Sequence, residues 1–380
     1  MLYLLCYKEK VEFMKILFVS MGEEFGGIEK MEFEIFKKFD KGFEFHFLTP
    51  NDIPFKDSEK EIVRLGGVVH SLGISRKSLS GKIKYLSRLY KFLKENKFDV
   101  VHINSSVFLF SFQVALISKI TGAKKIIVHS HSVPKQSDFK RFIKTVLSPI
   151  YLKVTQEHLA CSLVSRESLF TKKFIDKGKI KIIKDGIDID KFKFNKEVRE
   201  RFRRELNLDG KTVYGHVGRF DIVKNHDLLI DIFYETQKVD ENSVLLLIGD
   251  GELRSSIEKK VDRLGISDNV LFLGFRENVN ELLNCMDCLI IPSISEGFGI
   301  AIVEAQTNGV IVFGSDTLPD EVKITSYFPI DINDGAYNIA QKICNESHNI
   351  IDRENVYKEI ASRGYDIKDM CLSIKKIYEK

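Results

Sequence analysis

DCLIIPSISEGFGIAIVEAQTNGVIVFGSD, residues 287–316, carries the fold in one unit. An unbroken apolar run, CLII, gives way to a loop punctuated by Gly297 and Gly299. A helical stretch follows from Ile300 to about Asn308, and a second apolar run starts after Gly309. Runs that are apolar throughout, without alternation, suit strands covered on both faces, as in a parallel sheet. The spacing therefore predicts strand, loop, helix and strand. Two acids interrupt the pattern, Glu296 ahead of the helix and Glu304 within it. Glu296 could be an acid favoured by the helix dipole, but Glu304 on an apolar helix has no such explanation. Carboxylates accept hydrogen bonds from paired hydroxyls, so a ligand rich in hydroxyls accounts for both.

The same unit recurs outward in both directions. The first half offers KILFVS, EFHFLT, GVVHSL, DVVHIN, KKIIVHS, HLACS and KIKIIK, and the second TVYGHVG, VLLLIGD, NVLFLG, DCLIIPS and GVIVFGS. Strand–helix repetition twice over predicts an α/β chain of two doubly wound Rossmann-like domains, with ligands beyond the carboxyl ends of the strands. We place the first domain at 14–193, after an extension of 1–13, and the second at 194–365. The last stretch, 366–380, reads as a helix that either closes the second domain or crosses back to the first.

The 380 residues suit two cores of ordinary size, and 44% hydrophobic with 29% charged residues is a globular composition. No apolar run is long enough to span a membrane, and the opening residues lack the order of a signal peptide; a cytoplasmic protein is expected. Residues 1–195 hold 35 Lys+Arg against 22 Asp+Glu, or +13, whereas the remainder is −9. The basic half points to an anionic partner. The cysteines are scattered, and the Cys285–Cys288 pair, with no second pair or nearby histidine, reads as core packing.

Each candidate residue follows an expected strand. Gly26 and Gly27 come before a helix, whose N-terminal amides could face a phosphate; a plain strand–helix turn is the alternative. Arg219 and Lys224 could grip a diphosphate, Arg as a fork and Lys as a point charge, or could belong to a solvated loop. The amides of Gly297, Phe298, Gly299 and Ile300 would face the ligand. His129 and His131 suggest metal by pairing, yet no neighbouring carboxylate or thiol completes a site, so hydrogen bonding to phosphate or sugar is expected unless they are core histidines. The one D-x-D, Asp188–Asp190, lies near the linker, and no metal or other cofactor is expected.

Taken as a set, these residues resemble the retaining, nucleotide-sugar-dependent glycosyltransferases of family 4, with the two-domain GT-B fold facing across a cleft. Glu296 and Glu304 match the family's spaced glutamates, Arg219 and Lys224 its cation pair, and Gly26–Gly27 its first loop. GGIEK, VHSHS, ACS and DGIDIDKFKFN resemble the bacterial capsular and exopolysaccharide branch. Two departures stand out: SLFTKKF where that branch carries a Leu-Phe-Gly turn, and no proline after Gly309. The resemblance implies that Arg219 and Lys224 neutralise the leaving diphosphate, that Glu304 binds ribose and that Glu296 binds the transferred sugar. It also implies that His129, or failing it His131, touches that sugar. The donor would be a UDP-sugar and the acceptor a saccharide, lipid-linked if the basic helices described next lie on a membrane.

Residues 76–97 hold eight Lys/Arg against Glu95, with Ile83, Leu86, Leu89, Tyr90 and Leu93 on one helical face, and 135–153 is similar. Such helices can lie on an anionic membrane or simply pack on a sheet. Nucleic acid is not expected, because aromatics do not interleave with the charges. A nucleotide-sugar epimerase of the same architecture, or a non-catalytic nucleotide-sugar-binding protein, are the competing readings.

Overall fold

In a computed structural model, the structure describes residues 13–20, 27–39, 42–49, 57–76, 78–132, 137–347, 349 and 351–380. Contacts divide the chain into two units. The first takes 1–161, 165–183 and 371–380, and the second takes 162–164 and 184–370.

The first unit is a seven-stranded sheet in the order β3-β2-β1-β4-β5-β6-β7. Its strands are β1 (Met14–Ser20), β2 (Phe43–Thr49), β3 (Val68–Ser71), β4 (Val100–Asn104), β5 (Lys125–Ser130), β6 (Glu157–Ala160) and β7 (Lys181–Ile182). The connecting helices are α1 (Gly27–Lys38), α2 (Asp57–Arg64), α3 (Leu79–Glu95), α4 (Phe108–Thr121) and α5 (Asp138–Val154), followed by the short α6 (Arg166–Leu169) and α7 (Lys172–Ile175). All pairings are parallel, and β4 is buried along its whole length, His102 and Asn104 included. The face of α3 that meets the core carries Tyr85, Leu89 and Leu93. Ile83, read from the sequence as part of that face, is 62% exposed, and Tyr90 is exposed as well. Tyr85 decides this: its ring fills the space beside Phe110, and a helix turning 100° per residue then swings Ile83 and Tyr90 aside.

The second unit repeats the plan with six strands in the order β10-β9-β8-β11-β12-β13. These are β8 (Thr212–Val217), β9 (Ser243–Ile248), β10 (Val270–Gly274), β11 (Cys288–Ile291), β12 (Ile311–Ser315) and β13 (Tyr327–Ile330). Its helices are α8 (Ile189–Phe192), α9 (Lys196–Glu205), α10 (His226–Gln237), α11 (Arg254–Leu264), α12 (Val279–Cys285), α13 (Ile300–Thr307), α14 (Gly335–Glu346) and α15 (Tyr357–Ile360). The opening stretch folds as β11, loop, α13 and β12. Strand β13 has no counterpart in the sequence reading, because Pro329 argues against a strand. It is an edge strand paired only with β12, where a residue without an N–H is tolerated.

Helix α16 (Ile367–Glu379) ends the chain, and its last residues belong to the first unit. Lys125 Nζ donates to the carbonyls of Ile377 and Tyr378, and the Tyr378 hydroxyl lies 2.8 Å from His102 Nδ1. Cys285 and Cys288 are fully buried free thiols, and burial pushes Cys285 up to about 11. They pack in the core.

Candidate functional site

In each sheet the strand order reverses between two neighbours, β1 and β4 in the first unit and β8 and β11 in the second. Helices leave such neighbours toward opposite faces, so the ends of these strands are where an open α/β sheet accepts a ligand. Arg219 follows β8 and Glu296 follows β11. The same switch in the first unit lies between Gly27, just after β1, and Asn104, the last residue of β4.

The loop after β8 is braced from two sides. A Cβ on Gly249 would lie 2.0 Å from the Gly218 carbonyl oxygen, so only glycine lets the loop after β9 press against it. Phe220 N donates to Asp250 O and Leu253 N to Phe220 O, both at 3.0 Å. On the other side Ile294 N donates to Val223 O, and Asn225, with φ of 56°, donates its amide to Pro292 O. These ties join the loops after β8 and β11 and bring Lys224 Nζ to 2.5 Å from Glu296 Oε1. The pair is partly buried, with the two side chains 24% and 12% exposed. Arg219, in the same loop as Lys224, is exposed, and its guanidinium forms no ion pair among the described residues.

Beneath this pair lie two histidines that the sequence reading passed over. His216 Nδ1 donates to Ile290 O, which leaves the lone pair on Nε2. His226 stacks on Phe220 with ring centroids 4.0 Å apart. Burial is the main reason both rings stay neutral: it lowers His226 to about 4 and holds His216 well below the ordinary imidazole range, where His226 and then Lys224 add to the effect. The signal in the sequence is a histidine inside the apolar run VYGHV.

Gly299 caps α13 at φ of 92°, a left-handed conformation open to glycine. It turns the chain into α13, where Ile302 N already donates to Gly299 O at 2.9 Å and the amides of Ile300 and Ala301 stand ahead of the helical ladder. Phe298 is buried and lies 6.3 Å from the Tyr365 ring; its side chain anchors the loop. Glu304 is 3% exposed on a helix whose neighbours Val303, Ala305 and Gln306 are fully buried. The other polar residues of this helix hold structure. Gln306 receives the amides of Ile324 and Thr325 and donates to Val322 O. Asn308, which ends the helix, is bonded by Arg353, whose guanidinium burial lowers to about 9.

In the first unit, Gly26 lies outside the described residues. Gly27 starts α1, and a Cβ there would meet nothing within 4 Å among the described residues, so none of their contacts demands glycine. The two histidines change places relative to the sequence reading. His129, the first choice there, sits within β5, fully buried, parallel to the His102 ring at 5.5 Å, and its nitrogens have no hydrogen-bond partner among the described residues. His131 stands just past the strand end and keeps a small exposure. Strand pairing on both sides of β5 is what encloses His129. His131 Nε2 donates to Asn104 Oδ1 at 3.0 Å, and Asn104 Nδ2 donates to Glu32 Oε1 at 2.7 Å. A carbonyl acceptor fixes the Nε2–H tautomer and puts the lone pair of His131 on Nδ1. Burial lowers His131 and His102 to about 3, and raises Glu32 well above the carboxylate range with help from Glu29. This neutral chain from α1 through β4 to β5 was not read from the sequence; an acid in GGIEKME and an asparagine in HINSS were its only traces.

Asp188 caps α8 by accepting from Lys191 N, and Asp190 pairs with Lys193. Both acids of the D-x-D thus have structural work near the linker.

Both halves of the chain match known families. The model of glycosyltransferase family 4 covers residues 25–191, and that of glycosyl transferases group 1 covers 198–325. A Bacillus subtilis protein described as glycosyltransferase EpsF is 30% identical over 318 residues, spanning 81% of this chain and 80% of that one. The UDP-Gal:alpha-D-GlcNAc-diphosphoundecaprenol alpha-1,3-galactosyltransferase of Escherichia coli is 26% identical over 316 residues, 79% of this chain and 80% of its own. Among solved structures, Anabaena HepE in complex with UDP superposes with a TM-score of 0.77 at 20% identity, covering 96% of this chain and 100% of that chain; that likeness concerns the fold. The loops braced around Arg219, Lys224 and Glu296 lie within the group 1 match, the Gly27 and His131 strand ends within the other, and the chain belongs to glycosyltransferase family 4, with the GT-B fold.

Proposed function

We propose that this enzyme transfers a hexose from a UDP-sugar to a lipid-linked saccharide in the synthesis of a capsule, exopolysaccharide or related surface glycan, with retention of configuration. The observation that carries the reading is the Lys224–Glu296 pair at the β8/β11 switch, with Arg219 exposed on the same loop as Lys224. A diphosphate arriving there takes the Lys224 ammonium from Glu296 and adds the Arg219 fork. Glu296 is then free to accept from hydroxyls of the transferred sugar, and the amides from Gly297 to Ile300 meet phosphate or sugar oxygens. Glu304 accepts from the ribose hydroxyls. The family resemblance adds Gly27 and a histidine, His129 or His131, as donor-contacting residues.

The glycosyl–phosphate bond breaks through an oxocarbenium-like state while charge builds on the leaving diphosphate, and preorganised cations stabilise that charge. Arg219 and Lys224 supply it without a metal. The acceptor hydroxyl enters on the face the leaving group vacates, which preserves the anomeric configuration with no enzyme nucleophile. The Escherichia coli relative, named for UDP-Gal and a diphosphoundecaprenol-linked sugar, supports the donor and acceptor class, as does UDP in the HepE structure. A lipid-linked acceptor places the enzyme at the inner membrane surface as a peripheral protein.

Incubation with UDP-sugars and a bacterial lipid extract tests this: label should pass from one UDP-sugar to the lipid fraction. Turnover of the donor with no acceptor would instead identify an epimerase, and binding without transfer a sensor.

A further inference from the structure

Helix α5 is apolar on two sides. The side that meets its own unit carries Lys144, Ser148 and Tyr151, all buried, with Leu147, Leu152 and Val154 packed against the core. Lys144 Nζ donates to Glu167 O at 2.6 Å, and the Tyr151 hydroxyl lies 2.6 Å from Ser111 Oγ. The opposite side carries Phe139, Phe142, Val146 and Ile150, which are 71%, 65%, 54% and 48% exposed. Spacings of three, four and four residues put these four on a single stripe. A helix that already has an inward packing side and still leaves two phenylalanines in water is built to bury that second stripe against something else.

Charge identifies the occupant. Lys140, Arg141 and Lys153 are exposed on the same helix, with Asp138 the one exposed acid there, and it pairs with Arg141. Helix α3, which packs on α4 as α4 packs on α5, begins with Leu79 exposed and, one turn on, Ile83 exposed between Lys82 and Lys84. A second copy of this face would bring lysines against lysines. An anionic bilayer satisfies both requirements, because apolar side chains enter the acyl boundary while Lys and Arg reach lipid phosphates. The first turns of α3, α4 and α5 all lie at the carboxyl end of the sheet, the end that carries His131 and Gly27, so a surface docked there presents its lipids beside the site.

We infer that the outward stripe of α5, with the exposed first turn of α3, is a docking surface for an anionic membrane. The inference rests on the lipid-linked acceptor proposed above and adds which residues enter the bilayer.

The test is sedimentation of the full chain with phosphatidylglycerol vesicles and with phosphatidylcholine vesicles. The wild type should partition at least tenfold more strongly onto phosphatidylglycerol, and high salt should weaken this. Phe139→Ser with Phe142→Ser should lower the partition about tenfold without lowering the melting temperature, as should Lys140→Gln with Arg141→Gln. Equal binding to both vesicle types, unchanged partition of the serine variant, or a dimer in sedimentation velocity that the serine variant abolishes would overturn the proposal. A transfer assay separates it from the acceptor reading. Vesicle binding together with transfer only to water-soluble saccharides sinks the acceptor and leaves the surface; transfer to vesicle-borne acceptor that the serine variant matches sinks the surface.

Discussion

The two sheets share a topology and handle charge in opposite ways. At the β8/β11 switch the second unit keeps an ammonium, a guanidinium and a carboxylate near the surface, with two neutral imidazoles beneath them. At the β1/β4 switch the first unit buries Glu32, Asn104, His102, His129 and His131 together and keeps them uncharged. Charge left partly hydrated can be handed to a ligand at little desolvation cost, whereas a neutral buried network orients its members and exchanges little with water. The second unit is arranged to hold charge and the first to position hydrogen bonds.

Acid should break this comparison most visibly. A histidine lowered to about 3 in the fold and ordinary when unfolded takes up its proton first in the unfolded chain. Its contribution to stability is thus whole above the free value of ~6.5 and drains away as pH falls toward the folded one. At about pH 5 the loss is roughly 2 kcal/mol for each of His102 and His131, with His129 adding in the same direction. Glu32, raised, works the other way: its cost to the fold is relieved as pH falls from its folded value to the free carboxyl range, and so counters part of the histidine loss. Hydrogen exchange at about pH 7.5 and about pH 5 should show protection lost further in β4 and β5 than in β8 and β11. Equal losses would mean that the histidine cluster is not held neutral.

Next comes Arg219→Ala, which should lower kcat/KM by roughly 10²–10³ and leave the melting temperature unchanged, since the side chain is exposed. Lys224→Ala should match it in rate but also destabilise by about 1–2 kcal/mol, because Glu296 loses its partner at partial burial. Unaltered UDP affinity in both variants, read by thermal shift, would take the cations out of the site.

Gly249→Ala should cost about 3 kcal/mol, since the backbone there has φ of 139° and the new methyl would meet the Gly218 carbonyl. Urea unfolding measures it, and a loss below about 1 kcal/mol would show that the two loops are not clamped. Asn104→Ala has the mildest expected effect, about 1–3 kcal/mol for buried partners left unpaired. Its clearer readout is nitrogen NMR of the histidines. The wild-type His131 should be protonated on Nε2 alone, and the variant should show both tautomers.

Much of this was legible from residues alone, for identifiable reasons. Strands buried on both faces leave largely apolar runs, so twelve of the two sheets' thirteen strands could be named before their pairing was known. Strand β13 was hidden because an edge position forgives Pro329. The outward ridge of α3 was misassigned because spacing tells which residues share a side and not which side is inward; Tyr85 settled that by filling the core. His129 and His131 are two residues apart and read alike, yet one lies within a paired strand and the other past its end.

The chain by itself determined two parallel-sheet units, the loops that end their strands, and the chemical types at those ends, because hydrophobic period and glycine placement are local properties. Only the tertiary structure decided that Lys224 meets Glu296 across 72 residues of sequence, that Glu32 reaches His131 through Asn104, and that α5 turns its phenylalanines outward. Those outcomes depend on which strands become neighbours and which side of each helix the sheet consumes. Such choices are made by the packing of the whole unit, and no window of sequence contains them.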